Sequence, residues 1–203
     1  MTIIVRDDDG LFYSDTKVTL DDLNPTYHIK YITMNGYVSV VNPEDKDTKL
    51  KIPVSGFFCA GYLTHEFRTL INGIGGDVGN YLADNLDDRV NDIKVTIVLV
   101  TDTDTTYTLH HDSKEGWLIS TYDKGSVLAW GDPNLFYTLN ETLTDLSIQE
   151  VLLLMFKLEL VDSVGGDLIL VDPKNPKPAV INIKESEKKE LYSKFDKAMR
   201  SLL

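Results

Sequence analysis

Short runs of β-branched and aromatic residues, separated by two-residue turn signals, constrain this chain more than any other feature. Thr2–Arg6 and Leu11–Thr16 flank Asp9-Gly10, while Tyr27–Met34 and Tyr37–Asn42 flank Asn35-Gly36. Asp-Gly and Asn-Gly adopt the positive φ that closes a tight hairpin. Strands joined this way are antiparallel, because a parallel pair needs a crossover of a dozen or more residues. The first turn, taken as a two-residue loop, pairs Ile4 with Asp15 and Thr2 with Lys17. Alternation then puts Thr2, Asp15 and Lys17 on one face, a register that a one-residue bulge would undo.

The same punctuation continues along the chain. Thr19–Thr26 reads as a loop and Pro43–Thr48 as a charged turn, with short strands at Lys49–Ile52 and Gly56–Gly61 split by Pro53. A helical stripe (Leu63, Phe67, Leu70, Ile71) starts near Thr64, pauses at Gly73–Gly76 and resumes through Val78–Val90. Strands follow at Lys94–Thr101, Thr105–His110, Gly116–Thr121 and Ser126–Trp130, then a turn or short helix from Asp132-Pro133. Ser147 and Glu150 form a capping box before a helix burying Ile148, Val151, Leu152, Met155 and Leu158. Asp167–Val171 and Ala179–Lys184 are strands around a proline-rich turn, Asp172–Pro178. Ser186 opens a last helix with Leu191, Phe195 and Leu202 inward. Hairpins in series with grouped helices predict an α+β fold with antiparallel sheets, in one domain over residues 1–203.

Composition narrows the function classes. With 203 residues, 42% hydrophobic and 26% charged, the sequence is that of a soluble globular protein. No apolar run approaches the roughly 18 residues that span a bilayer, and the N-terminus lacks a signal-peptide pattern. A net charge of −12 argues against nucleic acid, which needs clustered Lys and Arg. The lone Cys59 sits in an apolar run, which excludes a disulfide framework and fits a reducing cytoplasm. His28, His65, His110 and His111 lack ligand spacing, so neither a metal nor a cofactor is expected. Alanine is scarce, which fits a viral (phage) or AT-rich genome.

Thr2 becomes the amino terminus if Met1 is removed. An N-terminal Thr supplies both nucleophile and base, its hydroxyl attacking a carbonyl while the α-amine, pKa about 7.7–8.0, takes the proton. Here the sequence resembles a known family. Thr2-Ile3-Ile4-Val5, Asp9-Gly10 and Tyr13-Ser14-Asp15-Thr16-Lys17 are similar to the opening of proteasome β-subunits and their bacterial two-component peptidase relatives. In that family Thr-Thr-Ile-Val begins the mature chain and Ala-Asp-x-Arg closes the first hairpin. Phe57-Phe58-Cys59-Ala60-Gly61 resembles the family strand before its first long helix. Leu128-Ala129-Trp130-Gly131-Asp132, the Ser147 helix and Val161-Asp162-Ser163-Val164-Gly165-Gly166 match later family motifs in order.

The resemblance implies a four-layer α-β-β-α sandwich with two antiparallel sheets, the fold of N-terminal nucleophile hydrolases. It implies Thr2 as nucleophile, Asp15 orienting an active-site lysine, Asp162 supporting the threonine, and an oxyanion donor at Ala60-Gly61. The lysine is Lys49 by its position before the Phe57 strand, with Tyr27–Asp47 an insertion, or Lys30 by its distance from Asp15; Lys49 ranks first. Lys17 and Asp132 are auxiliary candidates. Two departures stand out: Asp132 and Gly165 replace family serines that assist proton transfer. The activity implied is a threonine-type peptidase, cytoplasmic and homo-oligomeric, a ring being one arrangement, with peptide or protein substrates and an ATP-dependent unfoldase partner. The departures motivate the alternative of a catalytically silent assembly or binding protein, and an unrelated α+β protein sharing short motifs is a third reading.

Overall fold

The computed structural model describes residues 2–18, 26–27, 30–41, 45, 48–61, 95–112, 116–158, 160 and 164–201. The two helices expected between Thr64 and Val90 lie outside these residues. Sheet I has strand order β10-β1-β2-β11-β12, formed by Leu128–Gly131, Ile3–Arg6, Phe12–Asp15, Leu168–Asp172 and Asn175–Ile181. Sheet II runs β5-β6-β7-β8-β9, formed by Tyr31–Val41, Lys49–Gly61, Val95–Val100, Thr105–Asp112 and Gly116–Asp123. A two-stranded ribbon pairs β3 (Lys17–Val18) with β4 (Thr26–Tyr27). All the pairings among the described residues are antiparallel, so the fold class is α+β as the hairpin signals require.

The first hairpin differs from expectation by one residue. Ile4 faces Ser14, Val5 faces Tyr13 and Arg6 faces Phe12. The loop is Asp8, Asp9 and Gly10: Asp7 N–H donates to the Leu11 carbonyl at 3.0 Å, and Gly10 N–H to the Asp7 carbonyl at 3.1 Å. Gly10 takes φ +89°, the left-handed residue that a three-residue hairpin loop places before its second strand. Asp7 fixes the choice, its carboxylate accepting from Leu11 N–H (2.8 Å) and from the Tyr13 hydroxyl (3.1 Å). Alternation therefore separates Thr2 from Asp15, and Lys17 leaves sheet I for β3.

Two more turn signals are absorbed into strands. Asn35-Gly36 makes a bulge inside β5, where Thr33 faces Gly56 and Gly36 faces Val54, so the second expected hairpin is one continuous strand. Pro53 sits within β6 opposite Tyr37, in the half of β6 that pairs with β5 alone; β7 joins only from Gly56 onward. A strand stretch paired on one side has the character of an edge, where proline is tolerated within sheets. Pro176 and Pro178 are accommodated likewise in β12, the edge of sheet I, rather than in a turn.

Among the described residues, alternation along the strands builds a core on each face of sheet I. Ile4, Phe12, Ile169 and Val171 of sheet I meet Tyr31, Phe58, Ala60, Val98 and Val100 of sheet II. The opposite face of sheet I, with Ile3, Val5, Tyr13 and Leu168, packs on the helices. Helix α1 is Asn134–Thr142, α2 Ile148–Lys157 and α3 Glu185–Ser201. Ser147 caps α2 with the expected reciprocal box. Residues Val151–Phe156 are all buried, so α2 is enclosed on every side rather than along one stripe, each large side chain contributing about 1.5–3 kcal/mol. Leu158, expected inward, is exposed. In α3 the cap position is Lys184, whose N–H donates to Glu187 at 2.7 Å, rather than Ser186.

Candidate functional site

Thr2 precedes β1, an interior strand of sheet I, and is only 6% exposed. Its carbonyl accepts from Asp132 N–H at 3.0 Å, extending the β1–β10 pairing past Gly131, which faces Ile3. Gly131 has φ +91°, and a Cβ there would lie 1.8 Å from the Thr2 carbonyl oxygen. Only glycine fits, on both steric and conformational grounds. The same point is 3.5 Å from the Ala60 Cβ, so the end of β6 abuts Thr2 from sheet II.

Asp15, the last residue of β2, is fully buried and collects three donors. Its Oδ1 accepts from the Ile3 N–H at 3.0 Å and from Lys30 Nζ at 2.8 Å. Its Oδ2 accepts from Gly165 N–H at 3.4 Å. Asp15 thus reaches the Thr2 end of β1 through the Ile3 amide, although strand alternation points the two residues apart. The Lys30 side chain is 7% exposed, so carboxylate and ammonium form a buried ion pair. Burial raises the Asp15 pKa, opposed by Lys30 and the Ile3 and Gly165 amides. Burial likewise lowers that of Lys30, opposed by Asp15. A lysine that releases its proton more readily than usual is suited to proton transfer.

The other candidates fall around or away from this pair. Lys17 is half-buried, its N–H donating to the Gly165 carbonyl at 3.0 Å, and its Cδ lies near the Gly165 Cα. Asp132 is half-buried beside the Thr2 carbonyl. Gly61 ends β6 opposite Val95. Lys49 opens β6 opposite Val41, eleven positions before Ala60 and so roughly 36 Å away along the strand. The structure does not bring it to Asp15. Asp162 lies outside the described residues. Sequence reasoning missed Thr16, whose hydroxyl accepts from Asp167 N–H at 2.9 Å, and the structural need for Gly131. The only sequence signal for Thr16 was its place between Asp15 and Lys17. Among the described residues no cluster of His, Cys, Asp and Glu could hold a metal, and no helix is long and apolar enough to cross a membrane.

No family model and no curated protein sequence matches the chain. Solved structures do. A Gly-1 mutant of Anbu from Hyphomicrobium sp. strain MC1 superposes with a TM-score of 0.59 at 15% identity, covering 100% of this chain and 96% of that one. Anbu from Yersinia bercovieri, titled an ancestral beta-subunit, gives 0.57 at 12% identity over 100% and 96%. The Anbu complex of Pseudomonas aeruginosa, titled a helical assembly, gives 0.56 at 15% identity over 100% and 96%. The chain therefore has a proteasome-like fold, similar over its length to these Anbu structures.

Proposed function

We propose that the protein is a threonine-type peptidase of proteasome-like fold, acting through Thr2 once Met1 has been removed. The observation that carries this reading is the buried Asp15–Lys30 pair, joined by Asp15 to the amide next to Thr2. Thr2 is the nucleophile and its freed α-amine the base. Its hydroxyl oxygen attacks the scissile carbonyl carbon while the amine takes the hydroxyl proton, and Lys30 helps direct that transfer. The backbone N–H of Gly61 is the proposed donor to the tetrahedral oxyanion. Collapse expels the substrate amine with the proton and leaves an ester on Thr2, which water hydrolyses. Asp15 holds Lys30, and Asp162, Lys17 and Asp132 take supporting places.

The chain works as one domain in a four-layer α-β-β-α sandwich. It self-associates as a cytoplasmic homo-oligomer and receives protein substrates from an ATP-dependent unfoldase. The helical assembly titled for the Pseudomonas aeruginosa Anbu complex supports the self-association, which light scattering on the purified protein tests. Turnover of a fluorogenic peptide tests the activity. Loss in Thr2→Ala supports the reading, and undiminished turnover in that variant rules it out. Asp132 and Gly165, standing where the resembling family has hydroxyls, favour one second reading: a silent assembly or binding protein. Intact-mass measurement separates the two, since retained Met1 leaves no free threonine amine.

A further inference from the structure

We propose that Thr16 is a positioning residue, whose hydroxyl clamps the Gly165–Asp167 turn so that Asp15 is held toward Lys30. The inference deepens the peptidase reading but stands on contacts that exist whether or not the chain cleaves peptides.

Thr16 is 4% exposed and follows Asp15 directly. Its N–H donates to the Gly165 carbonyl at 3.3 Å, and its hydroxyl oxygen accepts from Asp167 N–H at 2.9 Å. Lys17 N–H shares the Gly165 carbonyl at 3.0 Å. Between these anchors, Gly165 N–H points at Asp15 Oδ2 at 3.4 Å. The backbone of residues 16–17 therefore grips one end of the turn, and the Thr16 side chain grips the other. Gly165 carries no side chain to hold itself, so the amide facing Asp15 stays in place only through its neighbours. Asp15 in turn divides its oxygens: Oδ2 toward the turn, Oδ1 toward Ile3 N–H and Lys30. Releasing Asp167 leaves a part-buried amide without its acceptor, an asymmetric loss that favours opening the turn to water. Rehydration of the pair follows, and the orientation of Lys30 relaxes.

The test uses the full chain. Lys30 is titrated by NMR of lysine labelled at the side chain, in the wild type, Thr16→Val and Thr16→Ser. The charged group that faces it is Asp15, present in every variant. Burial is the larger influence on Lys30 and lowers its midpoint, so loosening the turn moves that midpoint up toward 10.5 in Thr16→Val. Thr16→Ser keeps the hydroxyl and the wild-type midpoint. A role in fold stability alone leaves the midpoint of the folded protein unchanged in both. Where the wild type turns over peptide, kcat falls about tenfold in Thr16→Val with KM unchanged, the size of one lost buried hydrogen bond. Should Thr16→Val fail to fold, amide exchange of the wild type decides: Asp167 N–H exchanges as slowly as the amides of β2. An unmoved Lys30 midpoint in folded Thr16→Val, or an Asp167 amide exchanging like an open loop, overturns the proposal. A moved midpoint in a chain without peptidase activity upholds it and removes the peptidase reading instead.

Discussion

At the scale of single residues, the buried Asp15–Lys30 pair is where a change costs most. Removing one partner strands the other charge away from water, so Asp15→Asn or Lys30→Met lowers stability by about 3–5 kcal/mol. Urea denaturation of each variant measures it, and the double variant recovers part of the loss because no lone charge remains. Lys49→Ala, at the far end of β6, leaves peptide turnover at the wild-type level, whereas Lys30→Met abolishes it. Gly131→Ala forces a Cβ into the Thr2 carbonyl at a positive φ, so it either unfolds β10 from β1 or displaces Thr2. Its stability in urea denaturation falls by at least the roughly 1–3 kcal/mol of overpacking. The sequence offered two lysines because spacing along a chain does not say which strand end folds back onto Asp15. The long β5–β6 pairing settles that by carrying Lys49 away and leaving Lys30 just before β5.

At the scale of elements, the signals that closed locally were legible. The Ser147–Glu150 box is satisfied within four residues, Ser147 N–H donating to Glu150 at 2.9 Å and Glu150 N–H to the Ser147 hydroxyl at 3.3 Å. Ser147→Ala costs about 1 kcal/mol, read as a lower denaturation midpoint. Glu150 also receives Lys194 of α3 at 2.7 Å, which pins α3 on α2. Burial acts to raise the Glu150 pKa, but Lys194 and the two Ser147 donors outweigh it and hold it below 4.5. The folded form thus binds this proton less tightly than the unfolded chain. The contribution is present above pH 4.5 and is lost as pH falls through the depressed folded value. The stability gap between wild type and Glu150→Gln closes across that window in an acid titration. The signals that misled were those with two solutions. Asn-Gly serves a turn or a bulge, proline serves a turn or a strand edge, and Asp-Gly closes loops of two or three residues. Which solution wins depends on partners outside the turn residues themselves, such as Tyr13 for Asp7 and, for Pro53, β7 pairing with β6 only from Gly56 onward.

At the scale of the whole molecule, hairpin order and period-two alternation were enough to foresee antiparallel sheets with grouped helices. Which faces meet was not written locally. Ile4 and Phe12 look across to Phe58 and Val98, while their neighbours Ile3 and Tyr13 look toward the helices. Away from Thr2, buried Arg6 ties the two sheets, its guanidinium donating to the Asp123 carbonyl at 3.0 Å and the Asp104 carbonyl at 3.1 Å. Arg6→Met loses these bonds and leaves the carbonyls to find other donors, costing about 1.5–3 kcal/mol in urea denaturation. The Thr2 end, by contrast, spends its buried polar groups on Asp15, Lys30 and the Gly165 turn. The central claim is that this end becomes catalytic when the threonine amine is free. It is tested most directly by comparing two forms of the chain, one released to begin at Thr2 and one retaining Met1, for turnover of the same fluorogenic peptide. The account predicts hydrolysis by the Thr2 form alone; equal turnover by both forms, or none by either, contradicts it.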